Sequence, residues 1–214
     1  MRARPGLVLF DLDGVLADYD RAARCQAMAD AAGTSVDAMF EAMFGDEGLE
    51  HLTDRGEIGL AGSLAGLRER HGWHLAAADF LDARRLGTRV RPAMLALCRE
   101  LQAQARIAVF TNNGDWVLEH MHAIAPELPP LFGASIVCSG VIKASKPDPG
   151  AFLACLRRLR HDAPADTLFI DDNADNVAGA RRAGLDALLF TDLPALRAEL
   201  RARAFQLQGE DDAP

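Results

Sequence analysis

The amino-acid sequence predicts an α/β protein, a doubly wound parallel sheet interrupted early by a small helical insertion. Three observations carry that expectation. Leu7, Val8, Leu9 and Phe10 form a short apolar run without alternation, which suits a parallel strand buried on both faces. From Arg91 onward, four more apolar runs alternate with helical stretches. Between these regions, residues 19–89 carry helical patterning and no strand signal.

The first strand stops at Asp11 and Asp13, followed by Gly14. In open α/β sheets, ligands bind at the edge where parallel strands end. Two acids one residue apart at that edge make a poor core and a good site.

In the insertion, Asp20 to Ala32 reads as a helix closed by Gly33. Thr34 and Ser35 can cap a second helix that carries Met39, Phe40, Met43 and Phe44 and ends at Gly45. Gly59 to His71 sets Leu60, Leu64 and Leu67 on one face, and Ala76 to Arg85 supplies a further short helix. Beyond it, Pro92 opens a helix to about Gln104. Strands are expected at Ile107–Phe110, Ser135–Cys138, Leu168–Ile170 and Ala187–Phe190, with helices near Trp116–Ala125, Pro149–Arg160 and Asp175–Ala183. The expected division is a core of residues 1–18 and 90–208, a helical cap of 19–89, and a disordered acidic tail at 209–214.

Composition narrows the function. The 214 residues are half hydrophobic and a quarter charged, an ordinary globular balance with room for one core and an insertion. A net charge of −8 argues against nucleic acid as the main partner. Four scattered cysteines without CxxC spacing read as reduced thiols, which fits a cytosolic compartment. The basic start, MRARPG, precedes an apolar run too short for a signal peptide or a membrane span, so a soluble, cytoplasmic protein is expected.

The strand ends gather the chemistry. The first delivers Asp11 and Asp13, the second Thr111, Asn112 and Asn113, and the fourth Asp171, Asp172 and Asn173, while the third leads to Lys146 and Pro147. Clustered carboxylates repel, and a divalent cation resolves that repulsion; oxygen-only ligands favour Mg²⁺ over zinc. Lys146 and Thr111 suit an oxyanion such as phosphate.

The set DLDGV, FTNN, SKP and IDDNADNV, in that order, resembles the haloacid dehalogenase-like (HAD) hydrolase superfamily, and the insertion resembles the helical cap of one large subgroup. DDNADNV, with Asp54-Arg55-Gly56-Glu57-Ile58, is similar to α-glucose-1-phosphate phosphatase and to the N-terminal phosphatase domain of soluble epoxide hydrolases. The resemblance implies a Rossmann-like HAD core and a Mg²⁺-dependent phosphatase acting on a small phosphomonoester such as a sugar phosphate. It assigns Asp11 as the nucleophile that forms an aspartyl-phosphate, and Asp13 as the acid and then the base. It places Mg²⁺ on Asp11, the Asp13 backbone carbonyl and Asp172, with Asp171 ligating or supporting. Thr111 and Asn112 would bind the phosphoryl group, Lys146 would balance its charge, and Asn176 would fix the acidic loop.

Competing readings are weighed on the same residues. Dehalogenation needs neither Asp13 nor the Asp171-Asp172 pair. Phosphomutase chemistry uses the same first motif, and Arg21 and Arg24 keep it open. A non-catalytic phosphate-binding module would be expected to lack the nucleophile or the metal acids. Asp18 reads as a turn residue or a helper at the mouth, Asp175 as a helix N-cap, Arg55 as an exposed loop arginine, and Trp116 as pocket lining or helix packing. The histidines show no metal spacing. Physiological substrate and oligomeric state are not legible.

Overall fold

The computed structural model describes residues 3–208. The acidic segment 209–214, read above as a disordered tail, lies outside the described residues. The chain runs β1 (Leu7–Phe10), β2 (Ala17–Tyr19), then five helices, α1 (Arg21–Ala32), α2 (Val36–Phe44), α3 (Leu49–Asp54), α4 (Leu60–His71) and α5 (Ala77–Leu86). After β3 (Thr88–Val90) and α6 (Pro92–Gln102) come β4 (Arg106–Thr111), α7 (Asp115–Glu119), α8 (Met121–Ile124) and α9 (Pro129–Phe132). The remainder is β5 (Ile136–Cys138), α10 (Ser139–Ile142), α11 (Pro149–Arg158), β6 (Thr167–Asp171), α12 (Ala174–Arg182), β7 (Asp186–Leu189) and α13 (Leu193–Ala202).

Five strands form one parallel sheet in the order β5-β4-β1-β6-β7. β1 sits centrally, with Phe10 in register with Val109 on one side and Ile170 on the other. The chain crosses to opposite sides of β1 here, and that topological switch opens the crevice at the exits of β1, β4 and β6. The sheet is buried on both faces, as the unbroken apolar runs predict. Val8 and Phe10 belong to one apolar cluster with Val109, Ile170, Leu97 and Leu101. Leu7 and Leu9 belong to the other, with Phe110, Phe152, Phe169 and Leu156. In the second cluster Phe152 meets Phe110 and Phe169 edge-on, at centroid distances of 5.6 and 5.1 Å.

Residues 19–89 are not wholly helical. Tyr19 closes β2 and Thr88 opens β3, and the two strands pair antiparallel where the chain leaves and rejoins the core. Three-residue strands are too short to show alternation, and neighbouring helix signals run up to them. Their pairing satisfies backbone groups at the crossing points. Helix α3 escaped the sequence reading for a similar reason: it has six residues and begins at Gly48 without a side-chain cap. The expected helix at Trp116–Ala125 is two short helices broken at His120. Helix α12 is capped by Asn173, which accepts from Asp175 N at 2.8 Å, so Asp175 is not the cap.

The insertion is anchored by close backbone contact. Gly56, with φ of 65°, lies so near Gly140 O that a Cβ would overlap it. All four cysteines are buried and unpaired. No helix among the described residues is long and apolar enough to cross a membrane.

Candidate active site

Asp11 follows β1 directly, and its N–H donates to Ile170 O at 2.9 Å, extending the ladder one residue past the strand. Its side chain meets Lys146 Nζ at 2.9 Å, and the same ammonium donates to Asp171 Oδ2 at 2.7 Å. Lys146 lies between α10 and α11 and is held there by Asn112. The Asn112 amide donates to Lys146 O and accepts from Lys146 N, both at 2.9 Å. Thus the side chain of Asn112 is spent on positioning Lys146, which leaves its backbone for any oxyanion.

Asp171 is saturated. Oδ1 accepts from Asn173 N at 2.8 Å, Asn176 Nδ2 bridges both oxygens at 3.1 Å, and Lys146 takes Oδ2. Asp172 is exposed, and its carboxylate lies within 4.8 Å of those of Asp11 and Asp171. A Cβ on Gly14 would overlap Asp172 Oδ2, so glycine is what lets the DLDGV turn approach this acid.

Electrostatics follow from burial. Desolvation pushes the Asp11 carboxyl up to about 7; the Lys146 ammonium opposes that rise and the Asp171 charge adds to it. Burial alone would lower Lys146, but Asp11 and Asp171 hold it above its ordinary value. Asp172 is raised by burial and then by Asp171. Three carboxylates gather around one ammonium that pairs with only Asp11 and Asp171, so the cluster carries more negative than positive groups.

Asp13 stands apart from this group. It accepts from Arg84 Nη2 on Oδ1 at 3.0 Å and on Oδ2 at 2.8 Å, and from Asn113 Nδ2 on Oδ2 at 3.1 Å. Asn113 also donates to Thr111 Oγ1 at 2.8 Å, tying the end of β4 to the first loop. Arg84 belongs to α5, in the insertion, and is not singled out by the sequence, which places Asn113 at the strand end without giving it a role. The period of a strand puts Asn113 on the side of Thr111, and helical spacing puts Arg84 on the face of buried Phe80. Those two signals could have found them.

A cavity of about 640 Å³ opens over the cluster. The core side includes Asp11, Asp13, Thr111, Asn112, Lys146 and Asp172; the insertion side contributes Tyr19, Arg21, Phe44, Glu50, His51 and Asp54. Burial pushes the Asp54 carboxyl up to about 7, with Glu50 and Asp13 adding to the rise. Arg24 is buried, donating to Tyr19 Oη at 2.7 Å and Glu50 Oε1 at 2.8 Å. It is committed inside the insertion, whereas Arg21 lines the cavity. Trp116 packs edge-on against Phe80 at 5.2 Å and does not line the cavity. Arg55 is exposed and paired with Glu57, and Asp18 with Arg91.

A family model for haloacid dehalogenase-like hydrolases matches residues 5–184, and the chain belongs to that family. Among similar solved structures is a HAD family enzyme from Bacteroides thetaiotaomicron, in complex with magnesium and inorganic phosphate. It is 22% identical at a TM-score of 0.75 over 91% of this chain and 98% of that one. A predicted HAD-like family hydrolase from Porphyromonas gingivalis aligns at 24% identity and a TM-score of 0.76, over 94% and 99%. The L-2-haloacid dehalogenase of Xanthobacter autotrophicus, with chloropropionic acid covalently bound, aligns at 20% and 0.62, over 95% and 85%. At these identities the likeness defines the fold.

Proposed function

We propose that this hydrolase is a Mg²⁺-dependent phosphatase for small phosphomonoesters, working through an aspartyl-phosphate on Asp11. One observation carries the reading: three carboxylates gather within 4.8 Å of one another at the exits of β1 and β6, and a single ammonium pairs with two of them. A site meant for a neutral substrate has no use for that excess charge, and an all-oxygen donor set fits a hard divalent cation. Its holders would be Asp11, the Asp13 backbone carbonyl and Asp172; Asp171, already saturated, orients Lys146 and Asn176. When bound, the cation offsets the charge of the phosphoryl group and the carboxylates around it.

The chain's own residues supply the rest. Asp11 is the nucleophile, held beside Lys146 so that its lone pair faces the cavity. Lys146, Thr111 and the backbone after it bind the phosphoryl oxygens, where fixed donors act without reorganisation. Asp13 gives a proton to the leaving oxygen and then takes one from water. The helical insertion covers the cavity as a cap, excludes bulk water and contacts the leaving group through residues such as His51 and Asp54. A polar, mixed-charge lining of this kind suits a polyhydroxylated leaving group, hence a sugar phosphate. The bound phosphate and magnesium of the Bacteroides relative support this assignment. Asp13 and the Asp171-Asp172 pair speak against dehalogenation, and the commitment of Arg24 to Glu50 speaks against a mutase with a second phosphate site there.

The test is phosphate release from a panel of aryl, alkyl and sugar phosphates, with Mg²⁺ and with chelator. Release that stops on chelation and returns with Mg²⁺ is expected. A folded protein that releases phosphate from none of them would overturn the assignment.

A further inference from the structure

Arg84 is far in sequence from every strand exit of the parallel sheet, yet its guanidinium reaches the first motif. Its side chain is fully buried against an Asp13 side chain that is 21% exposed, and it stacks 3.8 Å from the Tyr19 ring centroid. Only Nη2 is used, on both Asp13 oxygens and, at 3.3 Å, on Asn113 Oδ1. Nε and Nη1 find no acceptor among the described residues, so most of the N–H groups on the fork are silent. As packing this is a poor choice. A buried charge with unmet donors costs more than an apolar side chain of the same reach, which would seat α5 equally well. What an apolar side chain could not do is bond Asp13.

We propose that Arg84 is a positioning residue for proton transfer by Asp13, delivered from the insertion to the core. This rests on the phosphatase reading above. Asp13 Oδ2 takes two donors, from Arg84 and Asn113, and Oδ1 takes one, from Arg84, so the carboxyl is held in one orientation at the cavity it lines. In the first step the Asp11 oxygen forms a bond to phosphorus. The bond from phosphorus to the bridging oxygen breaks, its electron pair stays on that oxygen, and a proton from the Asp13 carboxyl neutralises it as the alcohol departs. Because Arg84 is in α5 and Asp13 is in the DLDGV turn, the arrangement exists only while the insertion is seated on the core. The class most dependent on it is phosphomonoesters of alcohols that leave poorly as anions, which includes sugar phosphates.

The experiment compares the wild-type chain with Arg84→Met on para-nitrophenyl phosphate and on glycerol phosphate, in Mg²⁺. kcat/KM covers the chain of events through cleavage of the ester, so an activated aryl leaving group, which needs no proton, isolates positioning from folding. The variant should lose about 100-fold in kcat/KM on glycerol phosphate and stay near wild type on the aryl ester. Arg84→Ala should behave alike and regain turnover of the alkyl ester when guanidinium is added, which keeps the test alive if the methionine variant unfolds. Parallel losses on both esters, or no loss on either, or an alanine variant indifferent to guanidinium, would remove Arg84 from this role. A wild-type protein that releases phosphate from neither ester would remove the phosphatase reading itself, and the two failures are thereby distinct.

Discussion

Two buried cations hold the two acids of the DLDGV turn, and they do so from opposite parts of the molecule. Lys146 belongs to the core: Asn112 clamps its backbone, and its ammonium lies between Asp11 and Asp171 near the faces of Phe110 and Phe169. Arg84 belongs to the insertion, uses one nitrogen of its fork, and serves Asp13. The core fixes the group proposed to attack phosphorus, whereas the insertion fixes the group proposed to move protons. Separating the two jobs this way ties the proposed leaving-group chemistry to the element proposed to contact the leaving group.

The sharpest way to break the comparison is at Asp11. Asp11→Asn is expected to lower kcat by about 10⁴-fold or more with circular dichroism unchanged; phosphatase activity near wild type would end the covalent mechanism. Next comes Lys146→Met, which leaves two buried carboxylates without their counter-ion. It should lower kcat/KM by about 10²–10³-fold and stability by about 3–5 kcal/mol, read by urea denaturation. Arg84→Met should cost clearly less stability than Lys146→Met, since Asp13 reaches water and only one acid loses its partner. Equal stability losses would undo the contrast between the two cations.

The smallest effect concerns the cavity's insertion side. Asp54 is held at about 7 by burial, so the folded state binds its proton more tightly than the unfolded chain does. Stability from this group is present below the ordinary carboxylate range and is lost as pH rises through about 7. Asp54→Asn stays neutral, so its melting temperature relative to wild type should climb by a few degrees between about pH 5 and pH 8. A difference that is flat across that range would place the carboxyl in water.

Much of the core was readable because its signals are local. Unbroken apolar runs ending in Asp11, Thr111 and Asp171 mark buried parallel strands and the edge where they stop, and one sheet brings those ends together. Lys146 was readable only in company with Thr111 and the acids at the neighbouring strand ends, since a lysine before proline is by itself ordinarily a solvated loop residue. The insertion concealed more. Arg84 and Arg85 are neighbours in the last turn of α5, where any basic residue suits the helix dipole. One is buried and the other exposed, and only its spacing from Phe80 separates them. Arg24 is hidden likewise, on the face of Met28. Short β2 and β3 left no pattern because three residues cannot alternate long enough to be seen.

The most direct measurement is a rapid quench of the Mg²⁺-loaded protein with substrate labelled in the phosphoryl group, followed by peptide mapping. The account predicts acid-stable, hydroxylamine-labile label on the peptide that carries Asp11, formed before free phosphate and absent in Asp11→Asn. Phosphate release with no label on that peptide at any time, or label on another residue, would contradict it.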